Sequence, residues 1–274
     1  MFTTFHRRLT TLLIGLAIAA CPTLALATHS WGGYHWARIN NPFTLHLGDN
    51  VSSVWDSYFV TASSDWSSVP SVLYTLSVPG GTSPRRCRAT SGRVEVCSTT
   101  YGNTGWLGVA QVWISGSHIT QGTVKVNDTY FNTATYNTPG WRHLVMCQEI
   151  GHTLGLDHQD TTFDNQNLGT CMDYTNDPDG KLKNQSSNEH PNSHDYEELA
   201  IIYSHADSTT TVNQAVNQMP AAANDIGSGR SSQVGTAQWG KLIRSTNGGR
   251  TERFELDFGG GHKLFTLVIW AEAE

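Results

Sequence analysis

Apolar positions recur along this chain with two different periods, and the changes of period mark out its elements. From Phe43 to Leu47 apolar and polar residues alternate, as in a strand with one buried face. Between Val51 and Trp66 the spacing turns helical, with Val54, Trp55, Tyr58, Phe59 and Ala62 on one side, and predicts a long first helix. Short strands are expected at Val72–Val78, Arg93–Val96, Trp106–Ile114 and Gly122–Asn127. In the last of these, Thr123, Lys125 and Asn127 alternate with Val124 and Val126. A second helix is expected from just after Pro139-Gly140, where a proline suits an N-terminus; it has no Gly until Gly151, and Leu144, Val145 and Ile150 supply its buried side. Residues 175–193 read as a polar loop carrying the turn signal Asn176-Asp-Pro-Asp-Gly180. A third helix, His194–His205, carries Tyr196, Leu199, Ile202 and Tyr203 in one stripe, with Asn192 or Ser193 as its cap.

The two ends read differently from the middle. Arg7 and Arg8 precede the apolar run Leu12–Ala20, and Ala25-Leu26-Ala27 has the small residues of a cleavage site. The run is too short to cross a bilayer as a mature helix, so cleavage after Ala27 and secretion are expected. The competing reading is a lipid anchor at Cys21, since Ile18-Ala19-Ala20-Cys21 resembles a lipobox; Pro22 argues against it. Residues 206–238 are rich in Ser, Thr, Asn, Gln, Ala and Gly without an aromatic residue, which is linker composition. Strand character then returns, with Phe254–Phe258 and Lys263–Trp270 joined across Gly259–Gly261 as a hairpin. The expected division is therefore a leader at 1–27, a main domain at 28–205, a linker at 206–238 and a hairpin segment at 239–274.

At 274 residues the chain can form one sizeable domain with an appendage. A formal net charge of −6 with scattered basic residues excludes a nucleic-acid surface, and a monomer is expected. After loss of the leader, Cys87, Cys97, Cys147 and Cys171 remain, an even number that suits two disulfides in an exported chain and allows three connectivities.

The chemistry is concentrated between Trp141 and His158. Gln148 and His152 are four residues apart and project from one helical face, with Glu149 beside them. Gly155 lets the chain turn in a conformation other residues adopt poorly, and His158 returns to the same point. Two imidazoles and a carboxylate gathered in this way suit a catalytic zinc site. The run Gln148-Glu-x-x-His152-x-x-Gly155-x-x-His158 matches the motif His-Glu-x-x-His-x-x-Gly-x-x-His except at its first letter. Met172, within Thr170-Cys171-Met172-Asp173-Tyr174, follows His158 by fourteen residues. On these two features the chain resembles the metzincin clan of zinc endopeptidases, in particular secreted, matrixin-like bacterial members.

The resemblance implies an α+β zincin: a mixed twisted sheet, two long helices, a Met-turn and a C-terminal helix, here with a short β-hairpin tail. It implies Zn2+ held by Gln148, His152 and His158, Glu149 as general base, Met172 as the apolar floor, and Tyr174 as a ligand or oxyanion donor. The strand 106–114 takes the role of the cleft's edge strand, which pairs with extended substrate, and the implied reaction is hydrolysis of a protein or peptide. Since Cys147 would then sit on the metal helix and Cys171 beside the floor, the favoured pairing is Cys147–Cys171, with Cys87–Cys97 closing a polar hairpin. Cys147 as a thiolate ligand fails on geometry, because it lies about 140° round the helix from His152, and His143 points to roughly the opposite side. Asp173, Asp177 and Asp179 suggest structural Ca2+, but Lys181 and the missing final Glu argue against an EF-hand loop. Because an amide is a poorer zinc ligand than an imidazole, the alternative function is a secreted binding protein on the same scaffold with weakened or lost chemistry.

Overall fold

The alternating segments do form strands, and each is drawn into a single sheet. In the computed structural model, which describes residue 1 and residues 29–68, 71–215 and 238–271, these are β1 (His35–Trp36), β2 (Phe43–Asn50), β3 (Leu73–Pro79), β4 (Val94–Thr99), β5 (Trp106–Ser115), β6 (His118–Asn127), β7 (Lys241–Thr246), β8 (Thr251–Gly259) and β9 (His262–Trp270). Their order is β3-β2-β4-β6-β5-β9-β8-β7, with β1 paired to the start of β6. β6 is the seam. On one side β4, β2 and β3 continue in parallel; on the other β5, β9, β8 and β7 continue antiparallel.

The helices are α1 (Asp56–Trp66), α2 (Asp128–Phe131), α3 (Pro139–Thr153) and α4 (Ser193–Ile202). The expected zincin with two long helices is therefore not what forms: among the described residues, helices of 11, 4, 15 and 10 residues accompany a nine-stranded mixed sheet. Two physical reasons underlie the difference. The first helix begins late because Ser52–Trp55 closes a turn, Trp55 N–H donating to Ser52 O at 2.8 Å, while Val54 points into solvent at 59% exposure. The stripe that packs is Trp55, Phe59, Ala62 and Trp66. The chain after residue 238 then adds β7, β8 and β9 to the main sheet, where only a short hairpin tail was expected. β9 lies along β5 from Trp106 to Ser115, so β5 is an interior strand and not the edge of an open cleft.

α1 and α3 pack against one face of this sheet. The other face carries a smaller apolar cluster, Trp106, Val109, Trp239, Phe254 and Val268. Both faces of β5 and β6 are thereby covered, which is why Thr123, Lys125 and Asn127 are buried despite their alternation with valines. The Lys125 ammonium is pushed down to about 8 by that burial.

α3 is fixed at both ends. Thr138 Oγ1 accepts from Trp141 N at 3.3 Å, and Pro139 occupies the first turn, where its missing N–H costs nothing. The last carbonyls of a helix have no partner within it. Here Trp31 Nε1 donates to His152 O at 3.0 Å, Trp36 Nε1 to Thr153 O at 2.9 Å, and Tyr203 OH to Leu154 O at 3.0 Å. The aromatic residues near the start of the described chain thus hold the C-terminal end of α3. α4 opens with a capping box, Asn192 paired reciprocally with Asp195.

The disulfides are Cys87–Cys97 and Cys147–Cys171, the favoured pairing. The leader at 1–27 with Cys21 and most of the stretch 206–238 lie outside the described residues. Among the described residues no helix is long and apolar enough to cross a membrane.

Candidate functional site

The C-terminal half of α3, the turn after it and the segment 170–174 meet over the sheet. Gly151 makes the approach possible: a Cβ there would lie 2.6 Å from both Met172 Sδ and Trp66 Cζ2. Met172 is accordingly pressed under α3, and the Cys147–Cys171 bond ties the two segments together. Gly155 has φ +104°, a conformation that disfavours side chains, and a Cβ there would meet Tyr34 O at 2.6 Å. After this turn His158 comes back onto His152, with ring centroids 4.7 Å apart in an edge-on arrangement. Gln159 N donates to Met172 O at 2.7 Å and Tyr174 N to Asp160 O at 3.2 Å, so the two segments run side by side.

The expected ligand residues share one peculiarity: each is tethered or contacted at one end and has no partner at the other. Gln148 Nε2 donates to Cys171 O at 2.7 Å, leaving Oε1 without a partner. His152 Nδ1 donates to Leu156 O at 2.8 Å, leaving Nε2 without a partner. His158 Nδ1 lies 3.5 Å from Asp157 Oδ1, and its Nε2 is likewise unpartnered. These side chains are 0%, 1% and 6% exposed, and a buried polar atom left without a partner costs about 1–3 kcal/mol. Burial, and then the neighbouring His158, push the His152 imidazole down to about 3. It is therefore neutral, with its proton on Nδ1 and a lone pair on Nε2, the form in which an imidazole binds a metal. One amide oxygen and two imidazole nitrogens are a donor set that fits a zinc-class ion.

Glu149 is fully buried, and its carboxylate makes no well-formed hydrogen bond. Desolvation holds its carboxyl well above the usual range, and the Ala110 backbone offsets only part of this. It fits because β5 has a glycine opposite: a Cβ at Gly108 would lie 2.5 Å from Glu149 Oε1. Tyr174 is also buried, and its hydroxyl donates to Arg250 O at 3.0 Å, in the turn between β7 and β8. Burial raises its phenol well above the ordinary value. His143 stacks edge-on with Tyr58 and lies near His190, away from this group.

The C-terminal strands close the site. Asp157 receives Arg244 Nη1 at 2.7 Å and Arg253 Nη1 at 3.1 Å on the same oxygen. Burial alone would raise the Asp157 carboxyl, but the hydrogen bond from His158 and the Arg253 guanidinium hold it far below the usual range. A cavity of about 390 Å³ remains beside His158, lined by His29, Asp157, Gln159, His194 and Arg244 among others. Behind it Asp195 accepts from His29 Nε2 at 3.0 Å and Gln159 Nε2 at 2.9 Å, tying α4 to the site.

No protein-family model matches the chain, and no curated protein matches it. The reading of the site therefore rests on its own geometry. His158 returns to His152 and stands 6.1 Å from Tyr174, ring centre to ring centre, while Gln148 bonds to Cys171 and Met172 packs under Gly151. Gly108, Asp157, Arg244 and Arg253 also belong to the site, and their roles were not anticipated from the sequence. Asp157 precedes a motif residue, but its guanidinium partners lie 87 and 96 residues further on, a pairing that no local pattern encodes.

Proposed function

We propose that the chain is a zinc-dependent peptidase whose site is built from Gln148, Glu149, His152 and His158, as the metzincin-like motif implies. The observation that carries this reading is the set of three buried, unpartnered donor atoms, each fixed from behind or contacted on its other side, next to a buried carboxylate. Zinc, when bound, would act as a Lewis acid on a carbonyl and make water a better nucleophile at neutral pH. Gln148 Oε1, His152 Nε2 and His158 Nε2 would hold it. Glu149 would take the proton from the attacking water and return it to the departing amine nitrogen, which needs its carboxylate charged when the reaction begins. Leu156 O and Cys171 O fix the tautomer of His152 and the orientation of the Gln148 amide. Secretion, with both disulfides formed, belongs to the same proposal.

Substrate cannot reach Glu149 along β5 while β9 occupies that strand, and Tyr174 cannot assist while its hydroxyl is spent on Arg250 O. The peptidase reading therefore requires displacement of β7–β9. The same closure favours a second reading, a secreted binding protein in which the site is structural. Metal content of the purified full-length chain, and casein cleavage with and without a chelator, separate the two. The peptidase reading expects bound zinc and, once the C-terminal strands are proteolytically released, cleavage that the chelator stops; cleavage that survives chelation, or none after that release, would refute it.

A further inference from the structure

A second group of imidazoles gathers where β1, the β5–β6 turn and the chain beyond α4 meet. β1 pairs in parallel with β6 in a register that sets His35 against His118. The chain after α4 is drawn in by Asp207 N donating to Arg38 O at 2.8 Å and Thr211 N to Ala37 O at 2.9 Å, which brings His205 and Asp207 to the same place.

His35 Nδ1 lies 2.9 Å from Gly33 O, an oxygen that can only accept, so Nδ1 carries a proton, and in the neutral ring Nε2 presents its lone pair. That lone pair faces Asp207 Oδ1 at 3.4 Å and His205 Nε2 at 3.1 Å. When neither Nε2 carries a proton, the three atoms are all acceptors, and at such distances they repel unless a proton or a cation lies between them. The third separation, His205 Nε2 to Asp207 Oδ1, is 3.6 Å. Ligand atoms about 2.0–2.1 Å from a tetrahedral zinc stand about 3.3 Å from one another, and the three separations bracket that value. The His35 and His205 rings meet edge-on at 87°, so nitrogen edges converge where faces could have stacked.

The carboxylate is shared out in a way that suits this. Asp207 Oδ2 receives Arg38 Nη1 at 2.8 Å and Arg38 N at 3.1 Å, leaving Oδ1 for the imidazoles. His118 Nε2 donates to Oδ1 at 3.2 Å from outside the three-residue group and steadies it. His205 is half exposed, which leaves the remaining coordination position open to water.

We infer that His35, His205 and Asp207 form a second metal site, separate from Gln148, His152 and His158, that takes a divalent ion of the zinc class and staples β1 to the chain leaving α4. Two nitrogen donors with one carboxylate already neutralised by Arg38 select against calcium and magnesium, which require several charged or carbonyl oxygens.

The test uses the full-length chain, stripped of metal and dialysed against zinc at neutral pH, as the parent, His205→Ala and His205→Cys. His205→Ala should retain about one equivalent less than the parent, and the cysteine, itself a zinc ligand, should restore it. Zinc should also raise the melting temperature of His205→Ala less than that of the parent. Because the readout is a difference, it holds whether or not the α3 site is loaded. Equal uptake by parent and His205→Ala would overturn the inference and leave a cluster held by protons alone. Displacement of the zinc equivalent by millimolar calcium would overturn the choice of ion.

Discussion

The two histidine clusters are built to opposite plans. Around α3 the donors are buried, and each ends in a polar atom with no partner. Around β1 only His205 opens to solvent, at 51% exposure, while His35 is buried; the donors face one another directly and have a carboxylate already held by Arg38. The first plan suits reactivity: a dry site strengthens electrostatic interactions, and Glu149 lies within it. The second suits a staple, because no unpartnered acid lies beside the donors and the coordinating edge is open to water. A buried donor set also places high demands on its supports, which helps to explain the aromatic donors at the end of α3 and the crosslink beneath it.

The comparison can be broken most forcefully at Glu149. With β7–β9 released in both proteins, Glu149→Gln should lower casein cleavage by roughly 10²–10⁴-fold while leaving zinc content unchanged, since it removes a base and no ligand. Activity near that of the parent would place the base elsewhere.

The crosslinks sharpen the contrast between the site and its surroundings. Cys147–Cys171 closes 24 residues and Cys87–Cys97 closes 10. Chain-entropy arithmetic gives about 3.4 kcal/mol for the first loop and about 2.7 kcal/mol for the second. Denaturant titration of the two double-serine variants should follow that order. The reverse order would show that the α3 crosslink does not bear on the stability of its surroundings as argued.

Gly108→Ala comes next. Its Cβ would collide with Glu149 Oε1, and overpacking of this kind costs about 1–3 kcal/mol. Thermal unfolding should show that loss, and cleavage should fall with it as the carboxylate is displaced. A variant with parental stability and activity would mean that Glu149 has room to spare.

The smallest effect is expected at Arg244, whose side chain is about half exposed. Arg244→Ala should cost about 0–1 kcal/mol, because Arg253 still holds Asp157 and the half-exposed guanidinium is screened by solvent. A larger loss by denaturant titration would make the C-terminal strands a stronger clamp than their ion pairs suggest.

What could be read from the sequence depended on how local the signal was. The spacing of Gln148, His152, Gly155 and His158 lies within one helix and one turn, and the turn at Gly155 does bring His158 back onto His152. The strands were legible too: β2 to β6 each overlap an expected strand, although β6 begins at His118, four residues before its expected start. Two things were not legible. Val54 fits a helical stripe by spacing, yet a turn closed by Ser52 O delays the helix and leaves it in solvent. The pairing of β9 with β5 joins residues more than 140 positions apart, and the same apolar pattern would have served a free hairpin. That single pairing turned an expected appendage into a third of the sheet and an expected cleft edge into an interior strand. The cluster at His35 escaped for the same reason, since its members are spread from β1 to the segment beyond α4.

The central claim, that Gln148 completes a metal site with His152 and His158, is tested most directly by zinc affinity. Competition against a chelator at fixed pH, in the His205→Ala background so that the α3 site alone is counted, should be measured for the parent, Gln148→His and Gln148→Ala. Gln148→His should bind more tightly, and Gln148→Ala should bind roughly tenfold more weakly or worse, a change of about 1.4 kcal/mol. Zinc bound as tightly by Gln148→Ala as by the parent would contradict the account.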